Sequence, residues 1–208
     1  MGDDSAMSVV AEQLQGAALD EVIEVLGDAF AGYPVMRFVA GATGDVAARE
    51  LRLVALFVTR RYRRGAPLLG IRDPDTGALV GAAAMTRPSE PAPSPDLAAW
   101  VEAVWQELGG DARLRYEQYA ATWPQLDPRP HHHLNMIGIR RSHAGRGLAR
   151  PLLEAVHAMA DADPESAGVS LTTEFAPNVG FYQHFGYRVV GHKTVVPGFD
   201  SWGFFREK

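Results

Sequence analysis

The segment from His133 to Leu153 constrains this chain more than any other. An apolar run, His133 to Ile139, leads into the loop Arg140-Arg141-Ser142-His143-Ala144-Gly145-Arg146-Gly147. Beyond it, Leu148, Leu152, Leu153, Val156 and Met159 recur at helical spacing. The predicted order is strand, tight loop, helix. Gly145 and Gly147 lack Cβ atoms, so the backbone can turn sharply and approach a ligand. The N–H groups of such a loop and of the first helical turn converge on one place and suit a phosphate or pyrophosphate. Pro151 fits within a first turn, which sets the helix start near Leu148. Arg140, Arg141, Arg146 and Arg150 gather here in a chain of net charge -5, which predicts an anionic ligand at this loop.

The loop is not a phosphate loop of the Gly-Lys-Ser/Thr kind, and the Gly-x-Gly-x-x-Gly spacing of dinucleotide sites is absent. Downstream, Val169 to Thr173 reads as a buried strand. It precedes Ala176-Pro177-Asn178-Val179-Gly180-Phe181-Tyr182-Gln183-His184-Phe185-Gly186-Tyr187. The first motif resembles the acetyl-CoA loop of the GNAT N-acetyltransferase superfamily, Gln/Arg-x-x-Gly-x-Gly/Ala. Gly147 and Ala149 fill its last positions, and Ala144 stands where Gln or Arg is usual. The second resembles the family's Asn-x-x-x-x-Tyr-x-x-x-Gly-Phe segment, with Asn178, Tyr182, Gly186 and Tyr187 in register. Within the superfamily, Leu134 to Ile139 and Val196-Pro197-Gly198 with Ser201-Trp202-Gly203-Phe204 are similar to the puromycin N-acetyltransferase-like branch.

The resemblance implies an α/β fold of GNAT type. Its sheet is mixed and mostly antiparallel, of about six or seven strands, with helices on both faces. It also implies acetyl-CoA as cosubstrate and an amine of a small molecule or peptide as acceptor, acetylated by direct sequential transfer. By the same resemblance, Ala144, Gly145, Arg146, Gly147, Leu148 and Ala149 would hold the pyrophosphate. Main-chain groups at Ile137 and Ile139, together with Asn178, would complete the cofactor-binding set, and Tyr182 would serve the leaving thiolate.

At 208 residues, 47% of them hydrophobic, the chain is long enough for one domain with a sizeable core. We expect a single domain over residues 1–208, with a helical insertion at about 96–124 and the acetyl-CoA-binding core at about 131–208. The absence of cysteine excludes a cysteinyl acyl-enzyme and a disulfide framework. The acidic balance argues against nucleic acid as a partner. No apolar run is long enough for a membrane span, and Met1–Ala6 carries neither a signal-like h-region nor a myristoylation pattern. The expected location is cytoplasmic. The oligomeric state stays open, a homodimer included.

Along the chain, residues 1–7 read as a mobile tail and Val9 to Leu14 as a first strand. Leu19, Val22, Ile23, Leu26 and Phe30 predict a helix that Tyr33-Pro34-Val35-Met36-Arg37-Phe38 breaks, and a second helix follows over about Asp45 to Arg63. Tyr33, Met36 and Phe38 are equally readable as core or as substrate contacts. Leu68 to Arg72 and Ala78 to Thr86 flank a turn at Asp73–Gly77 and predict a hairpin. Pro88 to Pro95 is a polyproline-like connector. Leu97, Trp100, Val101, Val104, Trp105 and Leu108 form an apolar stripe that Gly109-Gly110 ends. Tyr116, Tyr119 and Trp123 continue it, either covering core or forming a lid over the acceptor. Tyr187 to Val196 and Ser201 to Arg206 predict a closing strand pair.

Many family members place Glu on the central strand where this chain has Asn135, which cannot accept a proton at neutral pH. His133, Glu174 and Glu90 are the candidate bases. His131-His132-His133 point alternately to opposite faces and predict no metal site. Two rivals to an N-acetyltransferase remain: a catalytically silent acyl-CoA-binding regulatory module, and an O-acetyltransferase.

Overall fold

A computed structural model describes residues 10–124 and 126–208, so the tail expected at residues 1–7 and the Val9 end of the first strand lie outside the described residues. In chain order the elements are β1 (Glu12–Leu14), α1 (Leu19–Phe30), α2 (Pro34–Ala40), α3 (Val46–Tyr62), β2 (Leu68–Arg72), β3 (Leu79–Thr86), α4 (Pro95–Leu108) and α5 (Gly110–Ala121). Then follow β4 (His132–Ile139), α6 (Ala149–Ala162), β5 (Gly168–Thr173), α7 (Asn178–His184), β6 (Arg188–Val196) and β7 (Phe199–Glu207). The strands form one seven-stranded sheet in the order β1-β2-β3-β4-β5-β7-β6. Every neighbouring pair is antiparallel except β4 and β5, which are parallel. This is the expected mixed, mostly antiparallel α/β architecture.

Helices cover both faces because the strands are apolar on both. On one face Val22, Val25 and Leu26 of α1, Leu53 and Val54 of α3 and Val104 and Trp105 of α4 pack over Ala82, Ala84 and Met136. On the other, Leu152, Leu153 and Val156 of α6 and Tyr182 of α7 pack over Ala83, Met85, Leu134 and Leu171. Each fully buried aliphatic side chain contributes about 1.5–3 kcal/mol, which makes these two layers the principal stabilisation. Gly138 permits α1 to cross β4 closely, since a Cβ there would lie 2.5 Å from the Ala29 Cβ.

The helix boundaries follow local chemistry. Asp45 caps α3 by accepting from the Ala48 N–H, and Ser94 caps α4 by accepting from Leu97. Gly186, at φ +84°, lies just past the end of α7. Tyr33–Phe38 does not simply break the first helix. Pro34 sits in the first turn of a new helix, α2, where its missing N–H costs nothing, and Gly41 at φ +79° follows its end. The Pro-rich connector carries no helix or strand between β3 and α4. Among the described residues no helix is long and apolar enough to cross a membrane.

Candidate functional site

The site begins with a failure of strand pairing. β4 and β5 pair only at His132↔Val169, His133↔Ser170 and Leu134↔Leu171. Beyond Leu134, β4 continues to Ile139 bonded to β3 alone, while β5 continues to Thr173 bonded to β7. A gap therefore opens in the middle of the sheet. The β3–β4 register also shifts: Met85 pairs with Leu134 and Ala84 with Met136, so Asn135 is an extra, bulged residue. The bulge turns Leu134 toward α6 and Met136 toward α1.

A cavity of about 350 Å³ fills the mouth of this gap. Residues Leu134 to Ile139 form one wall, Thr172, Glu174, Phe175, Asn178 and Tyr182 another, and side chains of α1 to α3 and α5 the rest. Glu174, just past β5, is buried. Its Oε1 accepts from Tyr119 at 2.9 Å and from Ser201 at 2.8 Å, and Oε2 has no hydrogen bond among the described residues. Burial raises its pKa above the ordinary carboxylate value, against the lowering effect of Ser201, Tyr119, Thr172 and Tyr33. The Tyr33 hydroxyl accepts from the Glu174 N–H at 3.1 Å and shares a 2.8 Å bond with Thr173 Oγ1, to which Asn178 Nδ2 donates at 3.1 Å. The turn between α1 and α2 is thereby tied to the end of β5.

Tyr182 is 7% exposed, and its hydroxyl has no hydrogen-bond partner among the described residues. Burial, then the nearby Glu174 charge, holds its pKa above the ordinary phenol value. His133 shares a 2.8 Å bond between Nδ1 and Ser170 Oγ, and the Trp123 ring packs edge-on at 5.4 Å. Burial, reinforced by the positive charge of Arg61, pushes its pKa down to about 3, so the imidazole is neutral and a weak base. Asn135 Oδ1 is buried without a hydrogen-bond partner among the described residues.

The glycine loop lies past Ile139, outside the cavity. Gly145 and Gly147 adopt φ +76° and +77°, a conformation only glycine takes at no cost. No atom lies within 4 Å of where a Cβ at either would stand. The N–H groups of Gly145, Arg146, Gly147, Leu148 and Ala149 have no partner among the described residues, and no side chain caps α6. Five consecutive free donors at the start of a fourteen-residue helix fit the pyrophosphate of a coenzyme A thioester.

The structure brings together His133, Asn135, Ile137, Ile139, Glu174, Asn178 and Tyr182 around one cavity, and sets Ala144 to Ala149 at the end of the strand that lines it. Three expectations change. Glu90 is not at the site, because Arg64 holds it in a 3.0 Å ion pair on the Pro-rich segment. The arginine cluster divides. Arg140 bonds the Leu79 carbonyl and Glu24, and Arg141 bonds the Ala31 carbonyl and, through its N–H, Asp28, so both hold α1 while Arg146 and Arg150 stay exposed at the loop. The aromatic insertion divides too. Trp105 packs on Phe57 and Tyr116 as core, whereas Tyr116, Tyr119 and Trp123 line the cavity. Of the undecided residues, Tyr33 and Met36 line the cavity and Phe38 packs against Phe199. Arg61, Phe57 and Phe30 also line it; nothing in their local spacing distinguishes them from ordinary helix residues. Among the described residues no group of three or more His, Cys, Asp or Glu side chains is placed to hold a metal ion.

Residues 119–202 match the model of the acetyltransferase (GNAT) domain. No curated protein matches the chain. Among solved structures, a histone acetyltransferase and related acetyltransferase from Corynebacterium glutamicum is 20% identical, with 97% of each chain covered and a TM-score of 0.70. Arylalkylamine N-acetyltransferase 2 from Aedes aegypti is 14% identical, covering 95% of this chain and 97% of its own, with a TM-score of 0.59. A phosphinothricin N-acetyltransferase-like structure is 12% identical, covering 96% and 98%, with a TM-score of 0.55. The seven-stranded sheet with its helices is thus a GNAT-like fold, and the GNAT domain match falls on the stretch that carries β4, the glycine loop, β5 and β6.

Proposed function

We propose that this chain, acting as one domain over residues 1–208, transfers an acetyl group from acetyl-CoA to the amine of a small molecule, directly and without a covalent enzyme intermediate. The observation that carries the reading is the gap between β4 and β5. It sets the main chain of residues 135–139, Glu174 and the free Tyr182 hydroxyl around one cavity, at the end of a strand that leads to five free loop donors. Acetyl-CoA supplies the acetyl group as an activated thioester. Ala144 to Ala149 hold its pyrophosphate, and Ile137, Ile139 and Asn178 flank the arm that reaches the cavity. Main-chain donors of β4 receive the charge that develops on the carbonyl oxygen as the amine nitrogen bonds to the acetyl carbon. Glu174 takes the proton released by the attacking amine, a role its raised pKa suits. Neutral His133 and Asn135 orient the acceptor.

As the carbon–sulfur bond breaks, Tyr182 donates to the leaving sulfur. A phenol (pKa near ~10) is a weaker acid than a thiol (~8.5), so a strengthening hydrogen bond rather than completed proton transfer describes this step. The small cavity supports a small-molecule acceptor, in keeping with the puromycin N-acetyltransferase-like branch. A cytoplasmic location, where acetyl-CoA is at hand, belongs to the same proposal.

Thiol release from acetyl-CoA across a panel of small amines tests it. Tyr182→Phe should lower kcat and kcat/KM together by about 10²–10⁴-fold with CoA affinity unchanged. CoA binding without acetylation of any amine would instead make the chain a silent acyl-CoA-binding module, and preference for hydroxyl acceptors an O-acetyltransferase.

A further inference from the structure

Resting on that reading, we infer that the acceptor carries an anionic group, best matched by a carboxylate, besides its reacting amine, and that Arg61 binds it. Arg61 stands in the last turn of α3 and lines the cavity. Its Nη1 donates to the Phe57 carbonyl of its own helix at 2.9 Å, and among the described residues it has no ion-pair partner. Arg52 pairs with Glu107, Arg64 with Glu90 and Arg37 with Glu50, whereas Arg49 bonds only the Ala40 carbonyl and Arg60 keeps a buried Nε without a partner among the described residues; of these, Arg61 is the one that lines the cavity. Glu90, a carboxylate whose field reaches Arg61, pairs through Oε2 with Arg64 and forms no ion pair with Arg61, and neighbouring Arg60 adds a like charge.

A guanidinium facing an enclosed space is costly unless a partner anion satisfies its remaining donors. Its planar fork presents paired N–H groups that match a carboxylate. The other charged side chain lining the cavity is Glu174; His133 is held neutral. One cation and one carboxylate complement a zwitterionic acceptor, its nitrogen toward Glu174 and its anion toward Arg61. Phe57, Tyr116 and Trp123 also line the cavity and suit an aromatic or apolar body. At about 350 Å³ the cavity is near the small end of ligand sites, roughly 300–1,000 Å³. The class that fits is a small amino acid-like amine with an aromatic side chain.

The test compares phenylalanine and tyrosine with phenethylamine and tyramine, by thiol release, in the wild type, Arg61→Met and Arg61→Lys. The wild type should favour the carboxylated amines by about 10–100-fold in kcat/KM, the range of a charge-assisted contact. Arg61→Met should abolish that preference by losing activity on phenylalanine while phenethylamine changes little. Arg61→Lys, which keeps the charge and serves if the Met variant does not fold, should retain part of it. Binding of phenylacetate, followed by tryptophan fluorescence, reads the anion site without any acetylation and should be lost in Arg61→Met. Equal use of both amine classes by the wild type overturns the inference and leaves N-acetylation standing, as does phenylacetate binding that survives Arg61→Met. Arg61-dependent phenylacetate binding with no amine acetylated supports the anion site and refutes the transfer reading.

Discussion

Glu174→Gln separates chemistry from architecture at this site. The carboxylate is buried, and its Oε1 accepts from Tyr119 and Ser201. A glutamine carbonyl oxygen in the same place can accept both. Each bond then falls from the charge-assisted range, about 1.5–3 kcal/mol, to the neutral range, about 0.5–1.5 kcal/mol, a loss of about 2–3 kcal/mol for the two. Against this, a buried carboxylate carries a desolvation penalty of several kcal/mol that the amide escapes. The raised pKa of Glu174 shows that burial outweighs the donors, so the variant should melt no lower than the wild type at pH 7. The sign agrees: a folded-state pKa raised above the unfolded value contributes stability at low pH that is lost as pH rises through the folded pKa. Gln removes that loss. Activity should fall by about 10²–10⁴-fold, or about 2.7–5.4 kcal/mol of barrier. The acid limb of the kcat/KM profile, set above the ordinary carboxylate range in the wild type, should vanish. Thermal melting and a pH–rate series on both proteins read these outcomes. A variant with full activity and an unmoved acid limb would refute the base assignment and leave Glu174 as an anchor for Tyr119.

Gly147→Asp should weaken CoA binding by more than tenfold in calorimetry, because φ +77° strains any side chain by roughly 1–2 kcal/mol and the added carboxylate opposes the pyrophosphate. Trp105→Ala should cost about 3–5 kcal/mol of stability in denaturant melts without changing the preference among amines that fold-competent protein shows. Trp123→Ala, at a residue 40% exposed, should shift acceptor KM with a small change in Tm. Stability should fall as pH drops from about 6.5 toward 4, because burial holds His133 at about 3 and His157 at about 4 while both protonate near ~6.5 once unfolded. His157→Gln should flatten part of that slope in melts taken between pH 7 and pH 4.

What was legible in the sequence is what the main chain encodes locally. Gly145, Gly147 and Pro151 spell a turn into a helix, and Asn178, Tyr182 and Gly186 keep a spacing that survives without knowledge of the partners. Gly109-Gly110 and Asp73–Gly77 announced boundaries for the same reason. Arg61 was not legible, because nothing in the local spacing sets it apart from Arg60, Arg63 and Arg64. Arg61 shares the cavity wall with Tyr116 and Tyr119 of α5, which arrive far later in the chain. Glu90 was misplaced for a like reason, since the path of a proline-rich segment is set by Arg64 rather than by its own residues. The gap between β4 and β5 and the bulge at Asn135 are properties of strand pairing, which no periodicity within β4 displays.

The bulge makes β4 a strand of mixed parity. Up to Leu134 its even-numbered residues face α6, and from Met136 they face α1. One odd residue, Asn135, absorbs the change of phase. Replacing Asn135 therefore alters a polar group, whereas drawing the bulge straight with Asn135 retained would invert the inside and outside of every residue from Met136 to Ile139. Ile137 and Ile139, which pack with the α6 layer, would be driven against α1, and Met136 against α6. Deleting Asn135 would instead leave plain alternation from Leu134 to Met136 and keep both layers in phase, so what the two cores hold is the bulge itself for as long as the extra residue is present.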